Sequence, residues 1–172
     1  MTLHPNTAER AAFACFDALM RAIAEPGLPR QLPDAGPSVV AQTLLDRETT
    51  AHADDPAVLA GTGTRLAPME RAEYVFAPAT AEVAGRLYTG DLLYPDAGAT
   101  LIAPVTLGSG IQLRLTGPGI ETQRIVHVGG IGPAFWDARR AAIRYPLGFD
   151  LILIDGATII ALPRSTTIEV LS

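Results

Sequence analysis

Two apolar runs on either side of a tight turn constrain this chain more than any other feature. Phe149 to Ile154 and Thr158 to Leu162 flank Asp155-Gly156, a pair that favours a hairpin turn. Both runs are apolar at successive positions, whereas a strand with one wet face alternates apolar and polar residues. Such a hairpin has to lie in the middle of a sheet that is covered on both faces. The spacing therefore predicts two central strands with helices packed above and below.

The rest of the chain supplies the cover. Thr7 to Glu25 carries Phe13, Phe16, Leu19, Met20 and Ile23 at helical spacing, and Pro26-Gly27 stops it. These five residues predict the buried face of an amphipathic helix. A second helix is expected from about Ser38 to Asp46, short helices at 55–61 and 80–87, and a strand at 73–77. Thr100 to Thr106 and Gly110 to Thr116, separated by Leu107-Gly108-Ser109, predict a hairpin. Gln123 to Val128 makes another strand, Gly129 to Pro133 opens a helix reaching about Tyr145, and Thr167 to Leu171 is the last strand. Helices early, strands late and one strand-helix-strand unit predict an α/β fold: a mixed β-sheet sandwiched by helices. The 172 residues suit a single domain over 1–172, since a chain of about 150 residues buries roughly 70% of its unfolded surface without a staple.

Several chemistries are excluded by composition. All thirteen basic residues are arginine, so a Schiff-base lysine and the phosphate-binding lysine of a P-loop are both absent. Cys15, the one cysteine, sits among Ala and Phe as a small core residue and has no intrachain disulfide partner. A formal charge of -5 argues against a nucleic-acid or anionic-membrane partner. Glu9, Arg10, Asp17 and Arg21 interrupt any signal-peptide pattern, and no apolar stretch approaches about 18 residues. A cytoplasmic protein without a membrane span is expected.

Candidate chemistry is sparse. His4, His52 and His127 are too scattered for a metal motif, and His127 reads as a structural or interface histidine. Ser109 lies in a turn and not at a strand-to-helix elbow. Gly129, Gly130 and Gly132, followed by Pro133, join a strand to a helix whose free N–H groups could hold an anion, although plain turns use the same residues. Arg140 and Arg144 are four apart and predict a shared helix face beside Arg139. That cluster suits a phosphate or a partner's carboxylates, or forms a solvated face. Asp150, at the mouth of an apolar strand, and Arg164, after the opposite arm, predict a structural ion pair first and a substrate clamp second. Asp46, at the end of the second helix, should find a backbone amide or an arginine. No metal or other cofactor is expected, and no catalytic set is identifiable.

Taken in order, several stretches resemble the PhnH family, the H subunit of the bacterial carbon-phosphorus lyase complex. They are Leu19 to Gly27, Leu44 to Thr49, Gly98 to Leu101, Leu113 to Ile120, Tyr145 to Leu153 and Leu162 to Thr167. Ser165 departs from the threonine expected there, and the 60–75 region is lean. The resemblance implies a fold like a reduced pyridoxal-phosphate-dependent transferase without the cofactor lysine. It implies an intracellular subunit that assembles with the G, I and J subunits; the lack of a catalytic set beside an apolar, low-charge composition favours an accessory subunit that forms a homodimer when isolated. The complex, with an associated ATPase-like subunit, makes ribose 1-alkylphosphonate 5-triphosphate from ATP and an alkylphosphonate. Radical cleavage of the carbon-phosphorus bond belongs to the J subunit and its iron-sulfur cluster. The resemblance supplies no catalytic residue. The alternative reading is a phosphate- or nucleotide-binding enzyme module built on the Gly129–Pro133 loop and the nearby arginines.

Overall fold

A computed structural model describes residues 7–171. In chain order the elements are α1 (Thr7–Ala24), β1 (Arg30–Gln31), α2 (Pro37–Leu44), β2 (Thr50–Ala53), β3 (Arg65–Leu66), β4 (Tyr74–Phe76), α3 (Ala81–Arg86), β5 (Thr100–Pro104), β6 (Thr106–Thr116), β7 (Arg124–Gly129), α4 (Pro133–Ala142), β8 (Asp150–Asp155), β9 (Thr158–Leu162) and β10 (Thr167–Leu171). Single-turn 3-10 helices occupy Pro56–Leu59, Met69–Arg71 and Pro95–Ala97.

The predicted hairpin is β8 and β9, with Leu153 opposite Ile160 and Asp155 opposite Thr158. It lies inside a seven-stranded sheet ordered β1-β9-β8-β5-β4-β2-β3. Strands β8, β5, β4, β2 and β3 run parallel, while β9 and β1 are antiparallel to their neighbours. The sheet is therefore mixed, and its central strands are covered on both faces. Period-two alternation sends Ile152, Ile154, Ile159, Ala161 and Ile102 to one side, against Cys15, Leu19 and Val40 of α1 and α2. Leu151, Leu153, Ile160, Leu162 and Leu101 point to the other.

That second face corrects the expected helical sandwich. It is covered by α3, α4 and a separate three-stranded antiparallel sheet, β10-β6-β7, through Leu113, Leu115, Val128, Phe135 and Trp136. The predicted hairpin between Thr100–Thr106 and Gly110–Thr116 does not form. β5 pairs in parallel with β4 and β8, and β6 pairs with β7 and β10 in the other sheet. Leu101, Ile102 and Ala103 are buried on both faces, which only a central strand provides. Pro104 has no N–H to extend the ladder, and only Val105 separates the two strands as the chain turns into the second sheet. The glycines read as a turn instead form a bulge within β6, where the register to β7 shifts between Leu107 and Ile111. Gly110, at φ 86°, is required there: a Cβ would lie 2.5 Å from the Gly129 Cα. For the same reason β7-α4-β8 is no simple crossover unit, because its two strands belong to different sheets.

α1 holds a second correction. Its buried side is Cys15, Ala18, Leu19 and Ala22, whereas Phe13 is 73%, Phe16 49%, Met20 50% and Ile23 45% exposed. Of the five residues expected inside, only Leu19 is there. Small side chains let the helix lie close to the sheet, where packing is densest, and leave the larger apolar groups facing outward.

Candidate functional site

α4 begins at Pro133 with Gly132 as its N-cap, and no side chain caps it. Gly130 precedes it at φ 85°. The helix ends at Ala142, with Ile143 extended, three residues earlier than the sequence pattern predicts. Arg144 consequently lies beyond the helix, in a bridge with Leu147, and does not share a helix face with Arg140. Arg140 is an exposed side chain 3.4 Å from Asp137. At 1.5 Å of rise per residue, Gly132 and Arg140 are about 12 Å apart along the axis, so the glycine loop and the arginines form two places and not one. Arg139 and Arg140 stand in the last turn, the end of the dipole that favours cations.

Asp150 and Arg164 meet as expected. Arg164 Nη2 lies 2.6 Å from Asp150 Oδ2, its Nε 3.2 Å from both carboxylate oxygens, and its backbone N–H donates to Oδ1 at 2.7 Å. Arg164 also donates to the carbonyls of Pro95 (2.6 Å) and Gly98 (3.0 Å). It thus ties the loop before β5 to the turn after β9. Gly98 is needed for this approach, since a Cβ would fall 2.2 Å from the Gly148 carbonyl oxygen and 2.5 Å from Arg164 Nη1. Asp46 accepts from the backbone amides of Glu48 and Thr49 (2.9 and 3.1 Å), which satisfies the expectation for that acid.

The residue that the sequence pattern left beside the cluster is the unusual one. Arg139 is 3% exposed, and Nη2 donates to the carbonyls of Leu162 and Pro163 at 3.1 and 3.0 Å. Its guanidinium carbon sits 5.8 Å from the centre of the Phe149 ring. It makes no ion pair among the described residues; Asp150, the acid that influences it, is engaged by Arg164. Burial pulls its pKa down to about 10, and the Asp150 charge only partly opposes this.

Arg139 lines a cavity of about 350 Å³ together with Trp136, Arg140, Ile143, Tyr145, Arg164 and residues 165–168. Three of these residues present buried polar atoms without a hydrogen-bond partner: Trp136 Nε1, Arg139 Nε and Thr166 Oγ1. Each such atom costs about 1–3 kcal/mol. A neighbouring groove is lined by Pro95, Asp96, Tyr145, Asp150, Pro163 and Arg164. Of the predicted residues, the fold therefore brings Arg140 and Arg164 to one cavity and Asp150 to its neighbour, and leaves Arg144 and the three glycines outside both. Trp136, Arg139 and Thr166 were missed. For Trp136 and Arg139 the signal was their three-residue step, which puts an arginine on the apolar side of α4; Thr166, in the turn before β10, had none.

Another cavity, of about 320 Å³, opens at the carboxyl ends of β2, β4, β5 and β8, where open α/β sheets commonly take ligands. Its walls include Val58, Phe76, Ile102, Ile154, Asp54 and Asp55, and Asp55 caps the adjoining 3-10 helix through the Ala57 amide. Apolar walls with two acids and no cation do not suit an anion.

Cys15, His52 and His127 line none of these three cavities. Cys15 is buried in α1 against the Val39 carbonyl. His127 is exposed on β7 opposite Gln112, and His52 lies 3.6 Å from Asp54. His4 lies outside the described residues. Among the described residues no group of three or more His, Cys, Asp or Glu side chains could hold a metal, and no helix is long and apolar enough to cross a membrane.

Comparison with known proteins gives a consistent result. The profile of the family described as "Bacterial phosphonate metabolism protein (PhnH)" matches residues 6–169. The chain is 37% identical over 163 residues to the "Putative C-P lyase subunit protein HtxG" of Stutzerimonas stutzeri, covering 90% of this chain and 84% of that one. It is 30% identical over 183 aligned positions to the "Alpha-D-ribose 1-methylphosphonate 5-triphosphate synthase subunit PhnH" of Rhizobium meliloti (strain 1021), covering 92% and 90%. With a match over residues 6–169, which spans the described α-helices and strands of both sheets, the chain belongs to the PhnH family of bacterial phosphonate metabolism proteins.

Proposed function

We propose that the protein is an accessory, non-catalytic subunit of the carbon-phosphorus lyase complex, supporting synthesis of ribose 1-alkylphosphonate 5-triphosphate from ATP and an alkylphosphonate. The names of its relatives support the assembly and the pathway. The observation that carries an accessory role is the outward face of α1, where Phe13, Phe16, Met20 and Ile23 form an exposed apolar stripe along successive turns. An apolar stripe of this kind is a feature of interaction surfaces. The reading takes the G, I and J subunits as partners and the cytoplasm as the compartment. A second copy covers the same stripe when the partners are absent, giving a homodimer. It further takes residues 1–172 as one domain, with the parallel strands β8, β5, β4, β2 and β3 as the remnant of a transferase-like sheet. The Gly129–Gly132 loop and the exposed Arg140 and Arg144 are proposed as further contact points.

Co-expression with the G, I and J subunits tests the reading. The wild-type chain should co-purify with them, and Phe16→Glu, which alters only an exposed position, should keep its stability and lose the association. A wild-type chain that stays soluble and unassociated in their presence overturns it.

A further inference from the structure

We propose that the cavity between the end of α4 and the turn before β10 is a binding site for a small oxyanion, the phosphonate or phosphate head of a ligand, centred on Arg139, Trp136 and Thr166. Three observations converge. Arg139 is a buried cation with no ion-pair partner among the described residues, because Asp150 is held by both the side chain and the backbone of Arg164. Three polar atoms of residues that line it, Trp136 Nε1, Arg139 Nε and Thr166 Oγ1, are buried without a hydrogen-bond partner. Two of these are obligate donors and the hydroxyl can donate, so the set matches an acceptor-only ligand. The cavity, at about 350 Å³, has room for such a group together with a substituent. Arg140, whose guanidinium lies 3.4 Å from Asp137, also lines the cavity.

Charge and shape also argue against the simpler account, in which Arg139 only braces the chain after β9. The two carbonyls it binds engage one nitrogen, Nη2. An amide side chain would meet that need without burying a charge. A guanidinium is justified where its remaining donors face an anion, which restores the charge balance that burial removes. The unpartnered atoms are shielded from solvent, so binding requires the wall to part for a ligand to reach them; Tyr145, among the lining residues, is exposed.

Trp136 is the one tryptophan in the chain, so its indole N–H gives a single resolved signal in a nitrogen-15 correlation spectrum. The isolated full-length protein is titrated with methylphosphonate, inorganic phosphate and ATP, with sodium chloride at matched ionic strength as control. A saturable shift of the indole signal with any of the three anions, absent with chloride, is expected. Tighter binding of methylphosphonate assigns the site to the phosphonate, and tighter binding of ATP to a phosphate chain. Arg139→Gln should weaken binding about tenfold or more, the loss of one charge-assisted contact. Thr166→Val keeps the volume of its side chain and should also weaken binding; it carries the test if Arg139→Gln does not fold. No saturable shift with any anion, or affinities unchanged in the folded variants, overturns the proposal. The site goes beyond the accessory-subunit reading: a chain that co-purifies with its partners but shows no shift keeps that reading and loses this one.

Discussion

Replacing Asp150 by asparagine isolates the ion pair that joins β8 to the turn after β9. Asp150 receives the backbone N–H, Nε and Nη2 of Arg164, and the two side chains are 33% and 12% exposed. An exposed pair contributes about 0–1 kcal/mol, while removing one partner of a fully buried pair costs about 3–5 kcal/mol. The guanidinium is mostly buried and its partner only partly so. Arg164 also keeps its bonds to Pro95 and Gly98 in the variant. A loss of about 2–3 kcal/mol follows, or roughly 5–10 °C in Tm for a chain of this size. Urea denaturation followed by tryptophan fluorescence measures it, with an unchanged m-value showing that the unfolded state is unaltered. Arg164→Met should lose more, because the loop carbonyls of Pro95 and Gly98 lose their donor, and protease cleavage within residues 89–98 should rise in that variant alone. The double variant should then fall short of the sum of the single losses by about 1 kcal/mol or more. A loss below about 0.5 kcal/mol for Asp150→Asn, or strict additivity, would refute the pair as a clamp and leave it as a solvent-screened contact.

Three further outcomes are expected. Gly98→Ala puts a Cβ 2.2 Å from a backbone oxygen that cannot turn aside, so it should destabilise by about 2 kcal/mol or more, read as a fall in the urea midpoint. Leu153→Ala, at a fully buried position between the two sheets, should cost about 2–5 kcal/mol in the same assay. Burial raises the pKa of the Cys15 thiol, against a smaller opposing effect of its hydrogen bond with Thr43, and the side chain is fully covered. Ellman's reagent at pH 8 should therefore leave the native chain untouched and titrate one thiol after unfolding; rapid reaction of the native chain would contradict the packing of α1.

Much of the fold was legible because its signals are local. The doubly apolar runs around Asp155-Gly156 place β8 and β9 in a covered sheet, and the period of two along them assigns each side chain to a face. The acid and the arginine at opposite arms of that hairpin predict their own pairing, since the register of a two-stranded turn brings its ends together. The absence of lysine excludes a class of chemistry without reference to any fold. The sheet to which each remaining strand belongs was not legible. Thr100–Pro104 and Thr106–Thr116 have the pattern of a hairpin, and they separate because burial of Leu101, Ile102 and Ala103 on both faces outweighs the short-range turn signal.

The same division holds for the functional surfaces. The sequence by itself determined that α1 is rich in apolar residues and that arginines gather near the end of α4. Only the tertiary structure decided which side of α1 is buried, because two apolar faces compete and the sheet accepts the one with small side chains. It also decided which arginine is buried. Periodicity places Arg139 beside Trp136, but whether a charge there meets a carboxylate depends on where Asp150 and Arg164 arrive from fourteen residues apart in the chain. Those two residues satisfy each other and leave the Arg139 charge without a carboxylate, an outcome that periodicity along α4 does not contain.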